Sequence, residues 1–141
     1  MQGCVFCNFK DKEVIVYDDD LCFAAISQNP INKYHIMVIP KTHYENFIDL
    51  PDNLAAHLFL VTKKLSAALR KACNPIAIHH ISDDDILKNG YNLVAHYKIH
   101  VIPRFENDGI KIEWNRQDLD LKARVQIATE IRNCLGSTGH S

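Results

Sequence analysis

The short links between the first β-rich runs constrain this chain's fold more than any other feature. Glu13–Tyr17 and Leu21–Ile26 are separated only by Asp18-Asp19-Asp20, a turn-prone tripeptide, and a third run, His35-Ile-Met-Val-Ile-Pro40, ends at proline. A parallel crossover needs a dozen or more residues and usually a helix, so short links favour hairpins and an antiparallel sheet. Leu54, Leu58, Val61, Leu65, Ala68 and Ala72 then recur at helical spacing, with Pro51 suited to an early position and Asn74-Pro75 as a stop. Ile76–Ile81 and Leu93–Ile102 read as two more strands, separated by a polar stretch from Asp83-Asp84-Asp85 to Asn89-Gly90. A final helix fits Leu119–Leu135, with Val125, Ala128, Ile131 and Leu135 as its buried stripe and Gly136 past its end. The expectation is an α+β fold, a five-stranded antiparallel sheet with two main helices, as one domain over 1–136 with a flexible tail at 137–141.

With 141 residues, 47% of them hydrophobic and 23% charged, the chain can bury one core, and disorder is excluded as its main state. A net charge of −1 gives no support for nucleic-acid or membrane binding. The apolar runs are short of a membrane span, and Met1-Gln2-Gly3-Cys4 does not open a secretory signal. Five irregularly spaced cysteines argue against a disulfide framework and for a reducing compartment, the cytoplasm or nucleus.

The segment His96-Tyr-Lys-Ile-His-Val-Ile-Pro-Arg104 sorts by parity. On an extended strand His96, Lys98 and His100 line one face, roughly 6–7 Å apart, while Tyr97, Ile99 and Val101 line the other. Three cation-capable groups in a row make a poor core and a cradle for an anion such as phosphate. For His100 and His35 the competing reading is a hydrogen-bonded structural histidine. His79 and His80, neighbours on a strand, read as structural.

Cys4-Val-Phe-Cys7 is a C-x2-C knuckle, whose spacing lets two thiolates grip one tetrahedral cation. It is half a site, and no second C-x2-C follows, so histidines are the remaining source of ligands. Two thiols without metal, or a redox pair, fit the same spacing. The redox reading needs a βαβ context, and a hairpin follows instead.

Taken together, these stretches resemble the histidine-triad (HIT) family of nucleotide-binding proteins. The resemblance runs from Cys4-Val-Phe-Cys7-Asn8 to about Trp114, and is most specific at His35–His43 and at His96–Arg104 with Phe105–Gly109. It implies a dimer that extends one sheet across two subunits. It also implies a closed structural zinc site of Cys4, Cys7, His43 and His96. In active relatives the middle histidine of the triad attacks the α-phosphorus of a nucleotide conjugate, and here the matching position is Lys98. An amine with a usual pKa near 10.4 is protonated at neutral pH and cannot attack. The ribose-binding aspartate is replaced by Ser27, and the phosphate-contacting loop ahead of the triad by Tyr91-Asn92-Leu93.

The expectation is therefore a protein that binds a purine nucleotide or nucleotide conjugate, through Ser27, Asn92, Leu93 and His100. Lys98, His100 and His35 stand at the catalytic positions, with hydrolysis impaired or lost. An active hydrolase with an atypical nucleophile, and a zinc-stabilised interaction module without ligand, are the alternatives.

Overall fold

The computed structural model describes residues 1–137, so 138–141 of the expected tail lie outside the described residues. The chain divides into two compact units, Met1–Ile110 and the segment from Lys111 onward. The first holds the sheet. Strands β1 (Ile15–Asp18), β2 (Cys22–Ile26), β3 (Ile36–Pro40), β4 (Ala77–Ile81) and β5 (Ile99–Arg104) are arranged β1-β2-β3-β5-β4, every pair antiparallel. Helix α1 (Asp52–Cys73) lies between β3 and β4 in sequence.

Local chemistry makes the first hairpin. The Asp19 carboxylate accepts the backbone N–H groups of Leu21 and Cys22, each at 2.8 Å, and the Tyr17 hydroxyl at 2.7 Å. His57 of α1 adds a fourth contact, its Nε2 2.7 Å from the same carboxylate, so the turn is tied to the helix. These donors hold the Asp19 carboxyl well below the usual carboxylate range against the cost of its partial burial.

Alternate residues of β3 face two cores. Ile36 and Val38 pack with Leu54, Leu58, Val61, Leu65 and Leu69 of α1, together with Tyr97, Ile99 and Val101. Met37 and Ile39 point the other way, towards Phe6, Phe23 and Ala25. The helix stripe departs from the expected one in its last turns. Leu69 is buried where Ala68 was expected, and Cys73 packs in place of Ala72. A 3.6-residue period allows either step, and the larger side chains fill more of the interface. Asn74 ends α1 in the left-handed conformation, φ 47°, its N–H bonded to the Arg70 carbonyl.

Two expectations need correction. The strand expected over 93–102 begins only at Ile99 and runs on to Arg104, because 91–96 form bends instead of pairing. Helix α2 (Leu121–Ser137) starts two residues late and takes in Gly136. Its expected buried stripe is largely exposed, Val125 at 53%, Ile131 at 57% and Leu135 at 67%. Periodicity identifies an apolar face but not a surface to cover it. Among the described residues no helix is long and apolar enough to cross a membrane.

Candidate metal centre and histidine dyad

The N-terminal knuckle is a tight turn cinched by Asn8. Its backbone N–H and its side-chain amide both donate to the Cys4 carbonyl, and the amide also reaches the Met1 carbonyl. This presents Cys4 and Cys7 together. Phe6 between them turns inward and meets the His96 ring edge-on, centroids 5.8 Å apart. His43 follows the end of β3, and His96 precedes β5.

Four ligand atoms converge there. Cys4 Sγ lies 3.4 Å from His96 Nδ1, Cys7 Sγ lies 3.3 Å from His43 Nδ1 and 3.5 Å from His96 Nδ1, and the two imidazole nitrogens are 3.2 Å apart. A zinc ion with bonds of about 2.3 Å to sulfur and about 2.0–2.1 Å to nitrogen would span edges of roughly 3.5 Å between S and N and roughly 3.3 Å between two N. The residues therefore fit a tetrahedral ion. His96 Nε2 lies 2.8 Å from the Pro40 carbonyl, which can only accept, so this nitrogen carries the hydrogen and Nδ1 turns its lone pair to the cluster. Burial also depresses the His96 pKa, favouring the neutral, ligating form.

A second group of Asp19, Cys22 and His57 also comes within ligand distance. Its carboxylate already accepts four donors, and burial pushes the Cys22 thiol up to about 12, far from a thiolate. It is a structural tie.

The parity read from the sequence holds even though 96–98 are unpaired. Tyr97, Ile99 and Val101 pack on the α1 side, while the Lys98 amine lies 5.3 Å from the centre of the Phe6 ring on the other. That amine is not free for an anion in this conformation. It donates to the Val94 carbonyl at 3.1 Å, to the His96 carbonyl at 3.0 Å and to the side-chain oxygen of Asn92. Asn92 is itself held by the Asp85 carboxylate, which gathers the N–H groups of Asn89, Gly90 and Asn92. Burial is the main cause that lowers the Lys98 pKa to about 8.

Ser27, His35 and His100 come together at one end of the sheet. The Ser27 N–H donates to the His35 carbonyl, extending the β2–β3 ladder by one pair. His100 stands opposite Met37 in the β3–β5 register, diagonal to His35 on the same face. His35 Nε2 and His100 Nδ1 are 2.8 Å apart. The Ile31 N–H donates to His35 Nδ1, so a neutral His35 carries its hydrogen on Nε2 and donates it to His100. A neutral His100 then keeps its own hydrogen on Nε2, as a donor for a ligand. Leu93 is not brought to this group. It is 94% exposed, on the bend between Asn92 and Lys98.

Burial, followed by the neighbouring His100, depresses the His35 pKa to about 4. An unfolded histidine near 6.5 takes up a proton that folded His35 refuses, so its contribution is complete above pH 6.5 and lost as pH falls towards 4. In NMR titration the His35 ring should stay neutral to about pH 4, with stability declining across that window. A His35 midpoint near 6.5 would contradict this.

A model of the HIT domain matches residues 8–107. An uncharacterised HIT-like protein of Borreliella burgdorferi is 34% identical over 136 residues, 93% of this chain and 97% of its own. An adenylylsulfatase of Arabidopsis thaliana is 29% identical over 108 residues, 74% of this chain and 54% of its own. The crystal structure of a member of the HIT family from Bacillus subtilis superposes with a TM-score of 0.85 at 27% identity, covering 99% of each chain.

Proposed function

Because this chain belongs to the HIT domain family, we propose that it is a zinc-tied nucleotide-binding protein whose hydrolytic chemistry is slight or lost, with Lys98 in place of the nucleophilic histidine. One observation carries this reading, the hydrogen-bonded state of the Lys98 amine. Three oxygens take three hydrogens, which only an ammonium supplies, and an ammonium has no lone pair to form a bond to phosphorus. The remaining residues suit binding. His100 Nε2–H donates to a phosphate oxygen, His35 holds His100 in that tautomer, and the Ser27 hydroxyl on the same face serves the sugar.

Cys4, Cys7, His43 and His96 would hold zinc. Its role is structural, since four protein ligands close the tetrahedron. The fold is proposed to act as a homodimer in a reducing compartment, the cytoplasm or nucleus.

The test is hydrolysis of an adenosine phosphoramidate and calorimetric titration with AMP, for the wild type and Lys98→His. Weak AMP binding with negligible turnover is expected, and Lys98→His should restore little, because Ser27 and the displaced Leu93 also depart from the family pattern. Wild-type turnover of about 1 s⁻¹ or faster, in the range of ordinary enzymes, would overturn the inactivity. A second reading, an active nucleotide-conjugate hydrolase, draws on the likeness to the Arabidopsis adenylylsulfatase. It requires Lys98 to leave its three oxygens, and a nucleotide adduct on Lys98 found by mass spectrometry would favour it.

A further inference from the structure

The opposite face of the sheet carries a hollow that neither the metal centre nor the histidine dyad uses. Phe47, Phe59, Ser82, Asp84 and Tyr97 line a cavity of about 290 Å³, large beside the roughly 30 Å³ that a water occupies in the liquid. Three of its five residues are aromatic. Phe47 meets Phe59 edge-on, planes at 89° and centroids 5.8 Å apart, and stands 5.8 Å from Tyr97 at 40°. Phe59, on α1, is half exposed.

The polar side of the hollow has one sign. Asp84 is fixed by the N–H groups of Phe47, at 2.6 Å, and Ile48, at 3.4 Å, so its carboxylate is held beside the rings. Asp85 turns instead to the N–H groups of Asn89, Gly90 and Asn92, and the Lys88 ammonium is paired with Glu45 at 3.5 Å. Beneath lies the Tyr97 hydroxyl, fully buried and without a hydrogen-bond partner. Ser82 and Asp84 are the polar residues that line the hollow with Tyr97. A buried hydroxyl without a partner is costly and calls for an occupant.

We infer that this hollow is a binding site for a small organic ammonium ion, seated between Phe47 and Phe59 above the buried Tyr97 and neutralised by Asp84. Aromatic faces attract cations through their quadrupoles, and a carboxylate at the rim adds a Coulomb attraction. The Asp84 carboxylate disfavours phosphates and carboxylates, which separates this site from the nucleotide reading of the other face. Tyr97 spans both regions in the chain, between His96 and Lys98, but its ring belongs to the α1 core.

Choline serves as the probe, and its uncharged carbon isostere 3,3-dimethylbutan-1-ol as the control, on the full chain with AMP absent. NMR titration should shift resonances of Phe47, Phe59 and Tyr97, with choline binding about tenfold tighter than the isostere. Phe59→Leu should weaken choline about fivefold while leaving the isostere nearly unchanged. Asp84→Asn should reduce the preference for the charged ligand, and a retained His35–His100 NMR signature shows that each variant is folded. Equal affinity for the two compounds, or choline shifts lying elsewhere, would overturn the assignment. So would no shift at all, including the case where sedimentation shows Phe59 covered by a second copy of the chain.

Discussion

Stripping the metal with a chelator is expected to lower the melting temperature of the intact chain by about 10 °C or more, and re-adding zinc should restore it. The knuckle otherwise meets the domain through few groups, chiefly Phe6 against His96 and Phe9 against Phe23, centroids 5.1 Å apart. The four ligand atoms come from three places, up to 92 residues apart in sequence. An ion joining them removes freedom from the unfolded chain and relieves the repulsion of electron-rich atoms crowded within 3.2–3.5 Å. Structural sites of this kind contribute several kcal/mol to folding, and each kcal/mol shifts melting by about 2–8 °C in domains of this size range. Mass spectrometry of metal content should find one zinc per chain, falling towards zero in Cys7→Ser. Identical melting with and without chelator, in protein purified free of metal, would remove the site.

The second large effect concerns Lys98. Lys98→Met keeps the length and apolar stem of the side chain and deletes the ammonium, and should cost about 2–4 kcal/mol of stability. Asn92, Val94 and His96 would each lose a charged donor, two of them backbone carbonyls of the bend that carries His96 to the cluster with Cys4, Cys7 and His43. Urea unfolding at constant metal load measures this. Leu93→Ser, at a 94% exposed position of the same bend, should lie within about 0.5 kcal/mol of wild type. A Lys98→Met protein as stable as wild type would return Lys98 to the role of an anion ligand. Lys98→His is expected to destabilise as well, since an imidazole offers at most two donors in one plane. That loss compounds the missing ribose and phosphate contacts.

Much of the fold was legible because local forces dictate it. The Asp18-Asp19-Asp20 turn, the β2 and β3 runs and the first four apolar positions of α1 all stand as read. The knuckle was legible as half a metal site from its spacing, and His43 and His96 only by resemblance, since no local pattern joins them to Cys4. Neither the His57 contact with Asp19 nor the grouping of Phe47, Phe59 and Tyr97 had a sequence signal. Each joins residues whose spacing carries no period.

Residues 91–98 divide the two levels most clearly. Alternation alone determined that His96, Lys98 and His100 share a face opposite Tyr97, Ile99 and Val101, because the side-chain direction of extended backbone repeats every two residues. What the ammonium of Lys98 touches was decided by tertiary structure. Asp85 gathers the loop amides and sets Asn92 in place, and the bend then aims two carbonyls at a buried cation that needs exactly such partners to be tolerated away from water. Sequence periodicity reports which way a side chain leaves the backbone. Only packing settles which oxygen waits at its end.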